Sequence, residues 1–167
     1  MSTVWLGLGT NIGDRFRHLR DAINRLEALM SDICVAGYYE TAPRDYYDQP
    51  DFLNTVIRGE TELPAVELLE NLHRIEASGG RTRDKSLEKG PRTIDIDILL
   101  YERICKTYTM PGGGFLTIPH ERMHERLFVL RPLLDLNPEG TDPRDGVFWS
   151  VKASHLGEQG VKLFRDE

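Results

Sequence analysis

The sequence contains little cysteine and no long apolar run, and both absences narrow the classes of protein to which it can belong. Cys34 and Cys105 are its two cysteines, and they lack the paired spacing of a zinc or redox motif. No apolar run approaches the roughly 20 residues that span a bilayer. The opening stretch MSTVWLGLGTN has neither the basic start nor the long apolar segment of a secretion signal. These absences predict a cytoplasmic protein in a reducing environment, with no membrane partner.

Positive charge is not in excess either. The 21 lysines and arginines are outnumbered by 27 aspartates and glutamates, which gives a net charge of -6. Such a chain is not expected to wrap a nucleic-acid backbone, although a local basic site can still hold a small anion. Its 167 residues, 40% of them hydrophobic, are enough for one domain with a core. We assign that domain to residues 1–150 and predict a polar C-terminal tail over residues 151–167.

Hydrophobic periodicity predicts strands and helices in the order β-α-β-β-α-β. Val4–Leu8 is the first predicted strand, and the spacing of Leu19, Ile23 and Leu26 predicts the first helix. The later strands are predicted in DICVAGYYET, FLNTVIRGET and GPRTIDIDILLY, with a second helix opened by Pro64. This order is typical of an α+β, ferredoxin-like core with an antiparallel sheet and helices on one face. C-terminal additions follow, with KTYTMPGGGF predicted as a flexible loop and PHERMHERLFVLRPLLDL as a turn and a helix.

The stretch TIDIDILL places two carboxylates on one face of a predicted strand. Alternation sends one set of side chains to one face, namely Ile94, Ile96, Ile98 and Leu100, and the other set to the opposite face, namely Thr93, Asp95, Asp97 and Leu99. Residues two apart on a strand lie roughly 6.5 Å apart, so Asp95 and Asp97 repel each other unless a positive group lies between them. A solvated strand face is one explanation of such a pair. A magnesium site is the other, because carboxylates on a rigid strand suit Mg²⁺ and leave room for two ions.

A basic loop precedes this strand in the sequence. The stretch GGRTRDKSLEKGPR carries Arg81, Arg83 and Arg92, together with two lysines. A charged loop is usually only a solvated surface. Next to a metal site, however, guanidinium groups are suited to holding phosphate oxygens through paired hydrogen bonds. We therefore predict phosphate-binding roles for these arginines.

HERMH, residues 120–124, matches the HExxH pattern of zinc hydrolases and is the main competing signal. Its context is poor for zinc, because Pro119 places the motif at a helix start and the charged Arg122 and Glu125 are typical of a solvated surface. No third ligand is evident downstream. A zinc hydrolase therefore stays as a disfavoured alternative, and His120 is expected to face a ligand after the turn.

Seven motifs follow one another across residues 3–138, and they are GLGTNIGD, YYETAP, QPDFLN, RIE…GGRTR, GPRTIDIDILLY, IPHERM and ERLFVLRPLLDL. Together they closely resemble the hydroxymethyl-dihydropterin pyrophosphokinase family, and GPRTIDIDI is the most specific of them. The resemblance implies a ferredoxin-like fold. It also implies an enzyme of folate biosynthesis that transfers the β,γ-pyrophosphoryl group of ATP to the pterin hydroxymethyl oxygen and releases AMP. A non-catalytic ferredoxin-like binding module is the other alternative.

By this resemblance, Asp95 and Asp97 bind two Mg²⁺ ions, and the ions with the ATP triphosphate offset the repulsion between the carboxylates. Arg81 and Arg92 complete the expected catalytic set, and Arg83 joins them in holding phosphates. This chemistry needs positioning and charge neutralisation more than a nucleophilic side chain, and the sequence shows no nucleophile. The general base is left unassigned.

The resemblance also implies adjoining sites for a reduced pterin and for ATP. Phe52 and Phe128 are expected to sandwich the flat pterin, while Asn54 and the backbone near Thr41 and Pro43 hydrogen-bond its edge. The residues expected to contact the phosphates, ribose or adenine of the nucleotide are His73, Glu76, Ile98, Thr117, His120 and Arg126. We expect a monomer with no nucleic-acid partner.

Overall fold

An antiparallel sheet with helices packed on both faces forms the part of the chain that the structure describes. The structure is a computed structural model and describes residues 1–43, 49–78 and 93–165. In these ranges no helix combines the length and the apolar character needed to cross a membrane. The elements are, in chain order, β1 (Ser2–Thr10), α1 (Arg15–Leu26), β2 (Ser31–Val35), β3 (Tyr39–Thr41), β4 (Phe52–Thr61), α2 (Ala65–Ser78), β5 (Asp95–Tyr101), β6 (Lys106–Thr109), β7 (Phe115–Ile118), α3 (Leu127–Leu136), α4 (Trp149–Ser154) and β8 (Lys162–Leu163).

In the main sheet β1 lies between β4 and β5 and is antiparallel to both. On its other edge β4 pairs with β2 and β3, and β8 pairs with β3. The predicted α+β, ferredoxin-like βαββαβ order is therefore confirmed. The predicted second strand is split into β2 and β3 at Gly37. Its backbone N–H donates to the side chain of Asp135, and its carbonyl accepts from the side-chain hydroxyl of Thr55, so both groups bond side chains and not the backbone of β4.

Helices α1 and α2 pack on one face of the sheet. Asp14 begins α1 by accepting a hydrogen bond from the backbone N–H of Arg17 at 3.2 Å. The apolar stripe of α1 packs mainly against β1 and β4, and that of α2 packs against β5. The core beneath the two helices includes Leu19, Leu26, Leu68, Leu72, Ile94, Ile96 and Ile98. Because the isoleucines point into this core, alternation leaves Asp95 and Asp97 on the opposite face.

The C-terminal helices cover part of that opposite face. Leu130 and Leu133 of α3 and Trp149 of α4 are completely buried there. They form a second core with side chains of the sheet that include Trp5, Val56 and Leu99. The uncovered part of this face is a cleft bordered by α3.

The predicted position of Leu100 among the isoleucines is wrong, because a bulge changes the alternation in β5. The pairing of β1 with β5 shifts register, so that Trp5 lies opposite Leu100 whereas Leu6 lies opposite Ile98. Leu99 is the extra residue, and Leu100 packs with Trp5 in the second core. A bulge is defined by the partner strand, so the sequence of β5 alone does not reveal it.

The segment predicted as a flexible loop is a β-hairpin made by β6 and β7. Lys106 lies opposite Ile118 at the open end of the hairpin. Gly113 and Gly114 close the turn with φ angles of 100° and 82°, a region that glycine adopts readily. The glycines were a sign of flexibility in the sequence interpretation, whereas in the structure they connect two paired strands.

The chain beyond residue 150, where the sequence pattern predicts a polar tail, completes α4 and adds a strand to the sheet. In β8, Lys162 and Leu163 pair with Glu40 and Tyr39 of β3. The backbone N–H of Phe164 also donates to a carbonyl of the β2–β3 connection at 2.8 Å. Backbone hydrogen bonds of this kind depend on no side-chain pattern, so hydropathy does not predict them.

A buried ionic cluster ties the segment after α3 to α4. The fully buried side chain of Asp142 accepts hydrogen bonds from Arg144 at 2.7 Å and from Lys152 at 2.6 Å. Burial by itself would raise the pKa of Asp142, but the hydrogen bonds outweigh burial and lower the pKa from 3.8 to about 2. Because the folded state favours the charged carboxylate, this cluster stabilises the fold above about pH 4.

We expect Asp142→Asn to lower the free energy of unfolding by about 2 kcal/mol at pH 7. The difference from the unsubstituted protein should shrink as the pH falls from about 4 towards 2, because protonation removes the contribution of a carboxylate whose folded-state pKa is depressed. Urea unfolding at several pH values measures this effect. Asp145→Asn is the control, because Asp145 also contacts Lys152 but is exposed. Its substitution should lower the free energy of unfolding by less than Asp142→Asn does. A destabilisation by Asp142→Asn that is equal at all these pH values would contradict the prediction.

Candidate active site

Two cavities meet at β5, the edge strand that carries the two carboxylates. The first is a cleft of about 150 Å³ between the sheet and α3. The second has a volume of about 560 Å³ and is bordered by β5, α2 and the β6–β7 hairpin. Asp95, Asp97 and His120 line both cavities. Ligands in the two cavities would therefore approach each other at these three side chains.

Glycines of β1 form the floor of the first cavity. Gly7 lies opposite Asp97, and Gly9 lies between Asp95 on one side and Asn54 on the other. A Cβ atom on Gly9 would lie 2.6 Å from the side-chain oxygen of Asn54, which is too close for real atoms. The sequence interpretation missed these two residues. The signal was the repeat of glycine at every second position in GLGTN, which keeps one face of the strand bare.

Asn54 supplies a buried polar group at the first cavity. It is 7% exposed, and its side-chain nitrogen has no hydrogen-bond partner among the described residues. A buried donor without a partner is unfavourable, so the position suits a ligand that brings an acceptor. Thr41 lies next to this region, opposite Phe52 in the pairing of β3 with β4. Neither Thr41 nor Pro43 is among the described residues that line the cavity.

Two aromatic rings reach the first cavity from different elements. Phe52 begins β4, Phe128 lies in the first turn of α3, and both are half-buried in the lining of the cavity. The guanidinium group of Arg126 lies 5.6 Å from the centre of the Phe128 ring. The structure therefore brings the two predicted aromatic residues to one cleft, with a cation beside one of them.

His120 is held at the junction of the two cavities by backbone hydrogen bonds. Its N–H donates to the carbonyl of Leu99 at 2.9 Å, and its Nδ1 accepts from the N–H of Arg122 at 3.2 Å. Burial lowers the pKa of His120, and the attraction of Asp97 does not outweigh it. The ring is therefore neutral at pH 7, with its proton on Nε2 because Nδ1 is an acceptor. This Nε2–H can donate to an anionic ligand.

The HERMH motif does not form a zinc site within the described residues. His124 lies in a short 3-10 turn, Met123–Glu125, whereas His120 precedes this turn, so the two imidazoles do not share a helix face. The Nδ1 atom of His124 lies 3.3 Å from the guanidinium group of Arg144, and His124 lines neither cavity. Across residues 1–43, 49–78 and 93–165, no group of three or more His, Cys, Asp or Glu side chains could hold a metal ion. The zinc-hydrolase alternative thus gains no support from the structure.

The second cavity brings together four residues that were predicted to contact the nucleotide. His73 and Glu76 lie about one turn apart on α2, and Glu76 is buried whereas His73 is exposed. Ile98 of β5 and Thr117 of β7 also line this cavity. The hairpin therefore provides a wall of the second cavity, a role that its interpretation as a flexible loop did not include.

The residues predicted to contact phosphates fall into two groups. Arg126 and His120 line the first cavity, and His120 also lines the second. Arg81, Arg83 and Arg92 lie outside the described residues, which leave out residues 79–92. The phosphate-binding roles of these three arginines, and the catalytic roles of Arg81 and Arg92, stay predictions.

Hydrogen bonds between distant segments hold the strand ends beside the first cavity. Arg15 of α1 pairs with Glu40 of β3 at 2.5 Å and donates to the backbone carbonyl of Asp51 at 2.9 Å. Asp135 of α3 accepts from the hydroxyl of Tyr39 in β3 at 2.8 Å. Burial, and after it this hydrogen bond, raises the pKa of Tyr39 to about 12. Because these partners are far apart in the sequence, no local motif reveals them.

Sequence comparison identifies relatives over almost the whole chain. Residues 5–138 match the family described as 7,8-dihydro-6-hydroxymethylpterin-pyrophosphokinase (HPPK). A Bacillus subtilis (strain 168) protein named 2-amino-4-hydroxy-6-hydroxymethyldihydropteridine pyrophosphokinase is 43% identical over 166 residues, which cover 98% of this chain and 91% of the relative. The folic acid synthesis protein fol1 of Schizosaccharomyces pombe is 39% identical over 163 residues, which cover 96% of this chain.

Several relatives are much longer than this chain, which spans 21% of the Schizosaccharomyces pombe protein and 27% to 29% of two plant folate synthesis bifunctional proteins. Among solved structures, wild-type HPPK-DHPS of Plasmodium falciparum matches with a TM-score of 0.74 at 16% identity. That match covers 92% of this chain and 40% of the other, and it supports the fold. The sequence match confirms the resemblance that the motifs indicate, and the chain belongs to the HPPK family.

Proposed function

We propose that this chain transfers the pyrophosphoryl group of ATP to the hydroxymethyl oxygen of 6-hydroxymethyl-7,8-dihydropterin, giving AMP and the pterin diphosphate. Membership of the HPPK family supports the proposal. The structural observation that carries it is the position of Asp95, Asp97 and His120 at the junction of two cavities. Two substrates bound in these cavities would meet at the carboxylates, where the pyrophosphoryl group is transferred.

The first cavity is the proposed pterin site. A flat heteroaromatic ring can lie between Phe52 and Phe128, because stacking on both of its faces buries apolar surface. The side-chain nitrogen of Asn54 would then donate to an acceptor at the edge of the ring and gain the partner that it lacks among the described residues. Backbone groups near Thr41 and Pro43 would complete the edge contacts from the adjoining strand end.

The second cavity is the proposed nucleotide site. Its volume of about 560 Å³ exceeds the 150 Å³ of the first cavity, so it has room for the larger of the two substrates. His73 and Glu76 would contact the ribose and the adenine, and backbone groups of Ile98 and Thr117 would hold the base. The triphosphate would extend from this cavity toward His120, whose Nε2–H would donate to a phosphate oxygen.

Asp95 and Asp97 are the proposed Mg²⁺ ligands. They lie on one rigid strand and line both cavities, so phosphate oxygens can complete the coordination that the carboxylates begin. Mg²⁺ held by these carboxylates would offset the negative charge of the triphosphate. Two ions are proposed from the family resemblance and from the spacing of roughly 6.5 Å along the strand.

The chain's own part in the reaction is to align the pterin oxygen with the phosphorus and to balance charge. Arg126, beside Phe128, would offset negative charge on the transferred group from the first cavity. Arg81, Arg83 and Arg92 would do so from the chain outside the described residues. No side chain is assigned as general base. The cytoplasmic location and the monomeric state stay predictions.

Incubation with ATP, Mg²⁺ and 6-hydroxymethyl-7,8-dihydropterin, followed by nucleotide chromatography, tests the proposed function. The adenine product should be AMP, formed together with the pterin diphosphate, because a pyrophosphoryl group contains both outer phosphates of ATP. ADP with a pterin monophosphate would contradict the proposal. An absence of pterin-dependent nucleotide turnover would favour the non-catalytic binding module.

Substitution of either carboxylate should abolish most of the activity. We expect Asp95→Asn and Asp97→Asn each to lower kcat/KM by at least about 100-fold, or roughly 3 kcal/mol, because an amide is a weaker Mg²⁺ ligand than a carboxylate. Asp97→Asn should not lower the melting temperature, because Asp97 is exposed and loses only a repulsion. Asp32→Asn, at an exposed carboxylate of β2, is the control for steady-state assays and should have no effect. Near-normal turnover of either variant at saturating Mg²⁺ would show that the metal assignment is wrong.

The two histidines of HERMH should behave differently. His120→Ala should lower kcat/KM for ATP by about 10- to 100-fold, because it removes a hydrogen-bond donor to an anionic ligand. His124→Ala should change it less than twofold, because His124 lines neither cavity. Steady-state kinetics in zinc-free buffer with Mg²⁺ measure both variants. Equal losses in both, or activity that requires stoichiometric zinc, would restore the HExxH interpretation.

A further inference from the structure

The C-terminal segment contacts the beginning of α3, which carries Phe128, and pairs with β3, both from outside the first cavity. We call residues 156–165 the strap, and the structure describes all of them. The strap follows α4, passes the first turn of α3 and ends with β8 beside β3. It lies beyond residue 138, where the family match ends, and none of its side chains lines either cavity.

Gln159 of the strap makes hydrogen bonds on both sides of Arg126. Its side-chain oxygen accepts from the backbone N–H of Leu127, the first residue of α3, at 3.0 Å. Its side-chain nitrogen donates to the backbone carbonyl of Glu125, also at 3.0 Å. Arg126 precedes α3 but provides no side-chain cap for it. Because the first N–H groups of a helix have no partner within the helix, Gln159 acts as a cap from a distant position in the chain.

The rest of the strap joins this helix start to β3. Val161 is 6% exposed and forms a small core with Leu127 and Tyr39, and Phe128 packs against that core. The strap then continues as β8, whose backbone pairs with β3. Tyr39 of β3 in turn lies opposite Asn54 of β4. One stretch of chain therefore connects the helix that carries Phe128 to the strands that carry the edge contacts.

We propose that the strap positions Phe128 over the pterin, with Gln159 as the positioning residue at the start of α3. This inference rests on the proposed pterin site. A stacking site needs its two aromatic walls at a fixed spacing, and a ring on a helix terminus keeps that spacing only if the terminus is held. Gln159 holds it by bonding the backbone immediately before and after Arg126.

Loss of the Gln159 contacts should therefore weaken pterin binding more than ATP binding. The hydrogen bonds of the strap reach α3 and β3, whereas the proposed nucleotide cavity is lined by α2, β5 and the β6–β7 hairpin. Two hydrogen bonds of ordinary strength predict a rise of about 3- to 10-fold in the KM for pterin. The KM for ATP should rise less than the KM for pterin, because Arg126, whose backbone neighbours Gln159 also holds, lines the first cavity and is not among the residues that line the second.

The experiment measures steady-state kinetics of full-chain variants, with ATP and 6-hydroxymethyl-7,8-dihydropterin varied separately. Gln159→Ala removes both hydrogen bonds and should show the full rise in the KM for pterin. Gln159→Glu keeps an acceptor for the N–H of Leu127 but cannot donate to Glu125. Its KM for pterin should therefore rise less than that of Gln159→Ala. If Gln159→Ala does not fold, the KM of Gln159→Glu for pterin tests the proposal instead. We expect this variant to fold, because a carboxylate near the beginning of a helix stabilises the helix. Phe128→Ala should raise the KM for pterin by removing the wall itself.

Two control variants separate positioning from a general loss of stability. Thr61→Val removes a hydrogen bond to the carbonyl of Leu29 at the far end of β4, and it should lower the melting temperature without raising the KM for pterin. Lys162→Ala changes an exposed strap side chain and leaves the backbone pairing of β8 in place. Lys162→Ala should change neither the melting temperature nor the KM for pterin.

The outcomes distinguish the strap from the site that it supports. A raised KM for pterin in Phe128→Ala but not in the Gln159 variants would overturn the strap inference and leave the proposed site intact. An unchanged KM in Phe128→Ala would overturn the proposed pterin site and the strap inference with it. If the KM for pterin rises as much in Thr61→Val as in Gln159→Ala, the inference is also overturned, because loss of stability alone would then explain the rise.

Discussion

The register of β1 between β4 and β5 is the constraint on which the site depends. Gly9 lies between Asp95 and Asn54, and Gly7 lies opposite Asp97. Neighbouring strands are roughly 4.8 Å apart, and the glycines of β1 have no side chains to separate its two neighbours. The carboxylates of β5 and the amide of Asn54 in β4 can therefore face one cavity. A slip of one residue in either pairing would turn these polar groups into the core beneath α1 and α2, so packing of the isoleucines and placement of the site require the same register.

The carboxylate pair is tolerable because of where β5 lies in the sheet. β5 is an edge strand, and Asp97 is exposed, so water can hydrate the pair until a cation and phosphate oxygens replace it. The fold is stabilised by the two cores, which border the cavities, and by ionic contacts such as those of Asp142, which lie away from the cavities. Neither Asp95 nor Asp97 belongs to these cores, so the packing of the scaffold does not depend on the carboxylates.

Walls of the first cavity come from segments that are far apart in the chain. Phe52 belongs to β4, whereas Phe128 belongs to α3. Helix α3 packs on the face of the sheet opposite to α1 and α2. Asp135 connects α3 to Tyr39, and Gln159 caps the beginning of α3. The two ends of the same helix are therefore each bonded to another segment, which is the arrangement that a stacking site between a helix and a sheet requires.

The sequence by itself determined the βαββαβ order, the alternation that places Asp95 and Asp97 on the face opposite the isoleucines, and the family, because these depend on local periodicity and on short motifs. It predicted the two aromatic residues, Asn54 and His120 as separate site residues, and the structure brings them to one cleft or its margin. Only the tertiary structure decided the bulge at Leu99, the β6–β7 hairpin and the strap. Each of these depends on which backbone or side-chain group a distant segment presents, and that information is absent from any single stretch of the sequence.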